Sequence, residues 1–549
     1  MPNITISNET RAFAPGTEAG AICGAFSPDR KLPPIGVSMN GRIRPLNWAP
    51  NHDCTLQIID YSDELGRRMY ERSLRFLFLL AANDVLPGVR VRIEHSAGYG
   101  LFINAQTVLT KEIVTRIETR MKELRDAALP FVRKRWPRQE AIEYFEKQGQ
   151  ADKVLLLSYR QLETIDLYGC NGYHEYFYGD MLPSTDHIHT FALHYHPPGI
   201  VLQMPLPAEP FTVAPYIERP KLMRAFSEAA EWLHILECQN VADLNEMMRK
   251  DRLKEFVRVN EALQEKSIAG IADRIVQRGA KVVFIAGPSC SGKTTFTNRL
   301  AIQLRVNGLR PIMLSLDNYY RNLSDIPPDE DGAPDLESLD ALDTPLLGEQ
   351  LRALAEGKKV EVPHFSFQTN SRKPEGTLLQ VAQDQPILIE GIHGLNPALT
   401  KEIPHGLSYR IYISALTALN LDDHNRIRTT DMRLLRRLVR DKQFRNAPFE
   451  ETLSMWASVR RGEEKYIFPY QEEADIMFNS ALSYEPAVLK KYAYRELCDF
   501  REESPHFTVA RMLIKFLNYF LPANVEDELG PTAILREFIG GCSFYLKSK

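Results

Sequence analysis

The stretch GPSCSGKTT, from Gly287 to Thr295, contains the residue types and spacing that hold phosphate groups. It matches the pattern G-x-x-x-x-G-K-[ST], in which a glycine-rich loop turns backbone N–H groups toward an anion. In such a loop the lysine, Lys293, reaches the terminal phosphates and the Thr294 hydroxyl binds Mg²⁺. The pattern therefore predicts a nucleoside triphosphate site with these ligands: Gly287, Pro288, Ser289, Cys290, Ser291, Gly292, Lys293, Thr294 and Thr295.

Two carboxylates follow later apolar runs of the chain. PIMLSLD ends at Asp317, and PILIEG carries Glu390. A carboxylate at the carboxyl end of a strand beside the phosphate loop can accept the proton of an acceptor hydroxyl and bind Mg²⁺. The alternative for Asp317 is a simple cap at the strand end. We predict a metal site formed by Thr294, Asp317 and Glu390, with Glu390 ordering the ion from further out.

An arginine-dense segment, RTTDMRLLRRLVRDKQFR, runs from Arg428 to Arg445. In a helix, Arg433, Arg437 and Arg440 share one face. This face favours a lid that closes on phosphates and neutralises the transferred group. The alternative is a solvated charged face.

These groups need a parallel sheet to bring them together. KVVFIA, at 281–286, is typical of a buried strand, and TTFTNRLAIQL after the loop is typical of a helix. Strands and helices alternate from Lys281 onward, which predicts the α/β fold class. Before it, residues 1–62 show short strand-like runs, among them PGTEAGAI, and MNG as a turn between two strands. Helical spacing begins at Asp63 with ELGRRMYERSLRFLFLLAAND and continues in KEIVTRIETRMKELRDAA.

Composition limits the classes of protein that this chain can be. It has 549 residues, too many for one hydrophobic core, and a net charge of −4 that gives no electrostatic case for a nucleic-acid binder. Seven cysteines without a CxxC pair fit a reducing cytoplasm. FLFLLAA, at 76–82, is too short to span a bilayer, and no secretory signal is visible. We expect a cytoplasmic protein with no membrane partner.

The second half resembles the uridine/cytidine kinase family, within the phosphoribulokinase and uridine kinase group of P-loop kinases, from Val282 to Leu482. The resemblance rests on GPSCSGKTT, SLDNYYR, PDLESLDALD, VPHFSFQTNSR, LIEGIHGL, RRLVRD and ADIMFNSAL. It implies ATP and Mg²⁺ as cofactors and Asp317 as the base on a nucleoside 5′-hydroxyl. It also implies that ATP phosphates are held by these residues: Lys293, Arg437, Arg440 and Arg445.

The acceptor side departs from the family. Glu337 stands where the family has an aspartate that holds the ribose hydroxyls, and Phe365 and Asn370 stand where it has a tyrosine and a histidine that recognise the base. The resemblance adds Tyr320 and Arg372 to this acceptor group. A changed hydrogen-bonding group alters acceptor choice, so phosphoryl transfer is better supported than any one acceptor.

The first half is similar to the editing region of threonyl-tRNA synthetases, a TGS domain followed by the second additional domain, from Asn3 to Leu206. The best match is TIDLYGCNGYHEYFYGDMLPSTDHIHTFALHY. The family's four metal-ligand positions fall here on Arg72, Phe76, Phe177 and Met181, which are poor zinc ligands, so we predict that the editing centre is absent. A nearby histidine cluster predicts a polar strand face, with a metal site as the alternative; its members are His187, His189, His194 and His196.

The predicted organisation has five parts. They are a TGS-like β-grasp domain at 1–62, an α+β editing-like domain at 63–210, a helical connector at 211–278, a P-loop kinase domain with a central parallel sheet and helical lid at 279–525, and a tail at 526–549. We expect a nucleoside kinase that forms a homo-oligomer, with a regulatory ligand or RNA at its N-terminal half. The alternatives are a sugar or other small-alcohol kinase, an RNA-binding regulator switched by ATP, and a threonyl-tRNA editing factor fused to a kinase.

Overall fold

The N-terminal part of the chain folds into two three-stranded sheets around one helix. The computed structural model describes these residues: 1–28, 30–330, 332–366, 369–382, 384–400 and 403–545. The first elements are β1 Asn3–Ile6, β2 Glu9–Ala12, α1 Ala19–Phe26, β3 Gly36–Met39, β4 Arg42–Pro45, β5 Cys54–Thr55 and β6 Gln57–Ile59. The predicted turn joins β3 to β4 through Asn40 and Gly41, both with positive φ.

One expectation for this part is wrong. The run PGTEAGAI was predicted as strand-like, but its second half lies in α1. Ala19, Ile22 and Cys23 are the buried residues of α1, and their i, i+3, i+4 spacing is that of one helical face. Packing of this face against β1 and β3 outweighs the short alternation that suggested a strand. The β-grasp assignment stays a prediction.

The second part combines long helices with two antiparallel sheets. Its elements are α2 Glu64–Val85, β7 Val91–Ala97, β8 Gly100–Ala105, α3 Lys111–Asp126, β9 Val132–Pro137, α4 Arg138–Lys147, α5 Ala151–Ser158, β10 Thr164–Cys170, β11 Tyr173–Glu175, β12 Ala192–His196, β13 Gly199–Gln203 and β14 Pro205–Leu206. The sheet orders are β12-β13-β8-β7 and β11-β10-β9. Both helices expected from the apolar spacing are present as α2 and α3, which pack on each other.

The stretch predicted as a helical connector, 211–278, contains one strand segment and then three helices; its role as a connector stays a prediction. Its elements are β15 Glu209–Val213, which pairs with β14, and then α6 Pro220–Ile235, α7 Val241–Arg249 and α8 Leu253–Arg278. The last helix ends at Gly279, whose φ of 66° gives the left-handed conformation that stops a helix. The chain enters the first strand of the central sheet three residues later.

The C-terminal half is built on a five-stranded, all-parallel sheet. The strands of this half of the chain, five of which form the sheet, are β16 Val282–Ala286, β17 Ile312–Ser315, β18 Val360–Val362, β19 Phe365–Ser366, β20 Ser371–Arg372, β21 Thr377–Leu379, β22 Ile387–Glu390, β23 Ser408–Ser414, β24 Asn420–Asp422, β25 Asn425–Arg426 and β26 Ile476–Asn479. Its helices are α9 Lys293–Val306, α10 Thr344–Ala355, α11 Pro397–Thr400, α12 Thr429–Phe444, α13 Phe449–Tyr466, α14 Glu485–Cys498, α15 Phe507–Leu517 and α16 Arg536–Ile539. The sheet order is β17-β22-β16-β23-β26, so the predicted parallel α/β architecture is confirmed.

A hydrophobic core extends from Ala141 to Ile539 and joins the second part of the chain to the central sheet. A buried charge cluster lies at this junction. The ammonium of Lys153 lies 3.1 Å from Glu175 Oε1 and 3.6 Å from Asp422 Oδ1, and all three side chains are fully buried. Burial alone would raise the pKa of Glu175, but Lys153 and His424 lower it to about 2. The predicted boundaries between domains stay a prediction.

The segment predicted as a tail is packed where the structure describes it. Ile534, Leu535 and Phe538 are buried, and α16 lies against α12. Residues 546–549, the last part of the predicted tail, lie outside the described residues. The segment covers the phosphate loop, since a Cβ on Gly292 would come within 2.8 Å of Ile534 Cγ2.

Two findings concern the compartment. All seven cysteines are free, five of them buried. Within the described part of the chain, no helix has both the length and the apolarity that crossing a membrane requires.

Candidate functional site

The phosphate loop connects β16 to α9, as the motif predicts. Gly287 lies so close to β23 that a Cβ there would come within 2.0 Å of the Ile413 carbonyl oxygen, so only glycine fits. Cys290 and Gly292 have φ values of 59° and 84°, the left-handed conformation that alternates with right-handed residues in anion-binding loops. The helix begins at Lys293, which directs its N-terminal dipole toward the loop.

Lys293 folds back across the loop. Its Nζ donates to the carbonyl oxygens of Gly287 at 2.9 Å and Pro288 at 3.1 Å. Burial lowers the pKa of Lys293, while the carboxylates of Glu390 and Asp317 act in the opposite direction. The ammonium therefore lies near both predicted metal ligands, in position to exchange carbonyl contacts for phosphate contacts.

The two candidate carboxylates, Asp317 and Glu390, lie at the ends of adjacent strands. Ser315 of β17 and Glu390 of β22 are register partners, and Ser315 Oγ donates to Glu390 Oε1 at 2.9 Å. Asp317 follows two residues after Ser315, at the same edge of the sheet. Burial raises the pKa of Glu390 to about 7, with Asp317 adding to the shift, and burial also raises the pKa of Asp317.

These residues fit a nucleotide with Mg²⁺. Burial and a neighbouring like charge disfavour ionised Glu390, and a divalent cation would remove that penalty. The buried Ser291 Oγ has no hydrogen-bond partner among the described residues, which leaves it free for a ligand. No group of three or more His, Cys, Asp or Glu side chains with metal-binding geometry occurs in the described ranges. Mg²⁺ needs no such group, since it keeps several waters and is held by one or two carboxylates plus phosphates.

The arginine helix α12 is packed against the phosphate loop. Arg433 Nε donates to the Ser289 carbonyl at 3.0 Å, and Arg437 Nη1 donates to Ser289 Oγ at 3.1 Å. Arg436 is fully buried, contacts the Cys290 carbonyl at 3.3 Å and forms an ion pair with Glu485. A solvated charged face is therefore excluded for this part of the helix, because its arginines brace the loop.

Arg440 and Arg445 lie at the end of the same helix. Arg440 Nη2 is 2.7 Å from Asp441 Oδ1, and Arg445 Nε is 3.5 Å from the same oxygen. Both guanidinium groups oppose the rise in the Asp317 pKa, after Lys293, so their charge acts on this carboxylate. The side chain of Arg445 is 50% exposed, which leaves it free to turn toward a nucleotide. The predicted ATP contacts of these residues stay a prediction.

Glu337 lies half-buried at the predicted acceptor site, with its Oε2 atom turned away from solvent. Burial raises its pKa to about 7, against the opposing effect of Arg437 and Lys293. Its Oε2 has no hydrogen-bond partner among the described residues. Gly462 makes the room for this side chain, since a Cβ there would lie 2.2 Å from Glu337 Cβ. The carboxyl group is thus held beside the catalytic cluster with an unused oxygen.

The other acceptor residues have mixed surroundings. The rings of Tyr320 and Phe365 lie 5.4 Å apart, and the Tyr320 hydroxyl donates to the Leu336 carbonyl at 2.9 Å. Arg372 donates to Asp343 at 3.1 Å and to the Tyr320 carbonyl at 2.8 Å. Arg372 therefore holds the turn after Asp317 in place. Asn370 is exposed, with a φ of 50°.

Three residues of the site were missed in the sequence. His393 is 1% exposed and burial lowers its pKa to about 4; its position in LIEGIHGL was the available signal. Glu463 accepts from the Ser289 amide at 3.3 Å and forms an ion pair with Arg433. Glu537 Oε2 accepts from Thr295 Oγ1 at 2.6 Å, although 242 residues separate them, and no local pattern could indicate this contact.

The positions compared with metal ligands in the first half do meet in space. The rings of Phe76 and Phe177 are 6.2 Å apart, and Met181 belongs to the same core. All three side chains are buried, whereas Arg72, the fourth position, lines a cavity. That the editing centre is absent stays a prediction. In the histidine cluster, the rings of His194 and Tyr216 stack at 3.8 Å, and His196 Nδ1 lies 2.6 Å from the Tyr216 hydroxyl.

Known proteins resemble the C-terminal half. The model of the phosphoribulokinase / uridine kinase family matches residues 282–484. A uridine kinase of Staphylococcus epidermidis is 30% identical over 208 residues, 38% of this chain and 91% of that protein. A uridine kinase of Deinococcus deserti is 28% identical over 208 residues, with the same coverage of 38% and 91%. A solved structure described as a possible uridine kinase from Bacillus stearothermophilus is 17% identical, covers 39% of this chain and 97% of that one, and has a TM-score of 0.28.

Proposed function

This chain belongs to the phosphoribulokinase / uridine kinase family through residues 282–484, and we propose that it transfers the γ-phosphoryl group of ATP to the 5′-hydroxyl of uridine or cytidine. The observation that carries the proposal is the meeting of Lys293, Asp317 and Glu390 at one edge of the parallel sheet. A phosphate-binding cation, a base and a metal-ordering carboxylate are the groups that phosphoryl transfer needs.

Each step of the proposed phosphoryl transfer is assigned to particular residues. The loop from Gly287 to Thr295 and Lys293 hold the phosphates of the nucleotide, and Asp317 accepts the proton of the attacking hydroxyl. Arg437 and Arg440 neutralise charge on the transferred group. Thr294, Asp317 and Glu390 would hold Mg²⁺. The ion, when bound, would offset the phosphate charge and allow both carboxylates to ionise.

Glu337 is the residue that we assign to the acceptor sugar. Its unpaired Oε2 can accept a hydroxyl hydrogen bond without breaking an existing one. Phe365 would stack on a base, and Asn370 would read its edge as both donor and acceptor. The exposed position of Asn370 favours a second candidate, a kinase of another small alcohol or sugar, because an exposed amide discriminates weakly between bases.

Retention of Lys293, Asp317 and Glu390 together opposes the reading as a regulator without turnover. The packed Phe76, Phe177 and Met181 oppose an editing factor. We place the reaction in the cytoplasm and propose a homo-oligomer, both on the expectations drawn from the sequence.

The test is a panel of nucleosides and sugars incubated with ATP and Mg²⁺, with ADP release as the readout. We expect turnover with uridine or cytidine, reduced by about a thousandfold in Asp317→Asn, since general-base catalysis contributes roughly 10²–10⁴-fold. Asp325→Asn, an exposed aspartate nearby, is the matched control and should keep full activity. Turnover with sugars alone would favour the second candidate, a kinase of another small alcohol or sugar. Full activity of Asp317→Asn would show that Asp317 is not the base.

A further inference from the structure

A cavity away from the phosphate loop is lined by charged side chains that are mainly positive. It has a volume of about 630 Å³ and lies between α2, β4, α15 and the segment before α12. Ten basic side chains line it against two acidic ones. Neither the phosphate loop nor any of the acceptor residues lines it, and the proposed kinase activity makes no use of it.

The acids around this arginine cavity do not balance its charge. Glu71 is the main counter-charge, and it is shared by three guanidinium groups: it forms an ion pair with Arg428, lies 3.5 Å from Arg426 and lies 3.8 Å from Arg75. Arg68, in contrast, has two carboxylates of its own, from Glu64 and Asp431. One carboxylate against three cations leaves an excess of positive charge in a partly enclosed space.

Two of these arginines are buried without full hydrogen bonding. Arg75 and Arg426 are 7% and 9% exposed, and the Nε atom of each has no hydrogen-bond partner among the described residues. Burial lowers the pKa of both, and repulsion from Arg428 adds to the effect; the pKa of Arg426 falls to about 10. Buried charge of one sign is costly unless an opposite charge joins it.

Arg72 is held in the same cavity by a glycine. Gly179 has a φ of 124°, and a Cβ there would lie 2.6 Å from Arg72 Nη2, so a side chain would push the guanidinium aside. Arg72 Nη1 donates to the Asp180 carbonyl, and no carboxylate pairs with Arg72 in the described part of the chain. The guanidinium therefore keeps donors that are not used by any acid of the protein.

We propose that this cavity binds a small polyanion, a compound that carries a di- or triphosphate group. Guanidinium groups present paired donors that match phosphate oxygens, and several of them together favour more than one negative charge. The volume falls within the roughly 300–1,000 Å³ range of small-molecule sites. A net charge of −4 opposes a nucleic acid as the occupant, because such binding depends on many phosphate contacts. The proposal stands independently of the kinase activity.

Inorganic triphosphate is the probe, titrated calorimetrically into the full-length protein. The phosphate loop binds it too, so the wild-type protein should show two sites. Lys293→Ala should remove the site at the loop and leave the cavity. In that background, Arg72→Gln should weaken the remaining site by about tenfold or more, since a charged hydrogen bond contributes roughly 1.5–3 kcal/mol, or about 10- to 150-fold.

Two further variants distinguish a direct loss of binding from misfolding. Arg511→Gln changes an exposed residue of α15 at the cavity and should weaken binding by about threefold or more, as expected for loss of a partly screened charge. Arg116→Gln removes an exposed arginine of α3 away from the cavity and should change nothing. A single site that Lys293→Ala abolishes would overturn the proposal, as would a second site that neither Arg72→Gln nor Arg511→Gln weakens. Arg72-dependent binding of single-stranded RNA without triphosphate binding would overturn it in favour of a nucleic acid.

Discussion

The phosphate loop and the arginine cavity both attract anions, but with different parts of the chain. The loop would use backbone groups and one lysine, and it lies beside two half-buried carboxylates, Asp317 and Glu390, whose pKa values are raised. The cavity uses guanidinium side chains and only two acidic ones. A site that moves a phosphoryl group needs a base and carboxylates for a metal ion, whereas a site that only holds an anion needs positive charge alone. The difference is the one expected between the proposed kinase site and the proposed anion-binding site.

The largest expected effect comes from Lys293→Ala. Removing the ammonium should lower kcat/KM for the acceptor substrate by about a thousandfold. This lies within the roughly 10²–10³-fold loss seen when one donor to a developing charge is removed. ADP release measures it. Triphosphate binding at the cavity should persist in this variant. Loss of both phosphoryl transfer and triphosphate binding at the cavity in this one variant would contradict the comparison, because it would mean that the two sites are one.

The second effect concerns the buried charge cluster that joins the second part of the chain, which contributes α2 to the cavity, to the central sheet that carries the phosphate loop. Lys153→Met leaves Glu175 and Asp422 buried without their ammonium partner, so we expect the free energy of unfolding to fall by about 3–5 kcal/mol. Urea denaturation measures it. Lys147→Met, an exposed lysine of α4, is the control and should change stability by less than about 0.5 kcal/mol. Equal stability of the two variants would mean that the junction does not hold the regions together.

The third effect is a pH dependence. Glu337 has a pKa of about 7 because of burial, so it loses its proton as pH rises through that value. The ionised carboxylate is the better acceptor for sugar hydroxyls, and KM for the acceptor should fall by about tenfold between pH 6 and 8, one pKa unit being a factor of ten. Glu337→Gln should flatten the profile. In the cavity, the guanidinium group of Arg426 stays charged in this range, since its pKa is about 10. A profile that Glu337→Gln leaves unaltered would contradict the assignment.

The smallest expected effect is an increase in the affinity for nucleotide. Glu537 sets a carboxylate against Thr295 at the phosphate loop, where it repels phosphate. Glu537→Gln should tighten binding of a non-hydrolysable ATP analogue by about fivefold, corresponding to about 1 kcal/mol of Coulomb energy at a well-solvated site. Glu528→Gln, in the same segment but paired with Arg258, should have no effect. Weaker or equal binding in Glu537→Gln would argue that the segment supports the nucleotide.

Local patterns predicted the reacting site and not the cavity. Strand, loop and helix follow each other in the sequence, and parallel neighbours bring Asp317 and Glu390 to one edge, so spacing was enough. Glu537 and Glu463 reach the phosphate loop through tertiary contacts that no sequence period encodes. The cavity draws its basic residues from positions as distant as Arg42 and Lys515, and only the fold unites them. The short helix α1 was missed because its packing outweighs a brief alternation.

One helix touches both regions. Arg428 caps the N-terminus of α12 at the cavity, and Arg437 contacts the phosphate loop about 14 Å further along, at 1.5 Å per residue. Because both residues belong to one helix, we expect an anion that displaces Arg428 to displace Arg437 as well. Thermodynamic linkage makes this reciprocal: we expect the cavity ligand to change nucleotide affinity by the same factor by which the nucleotide changes the affinity of the cavity.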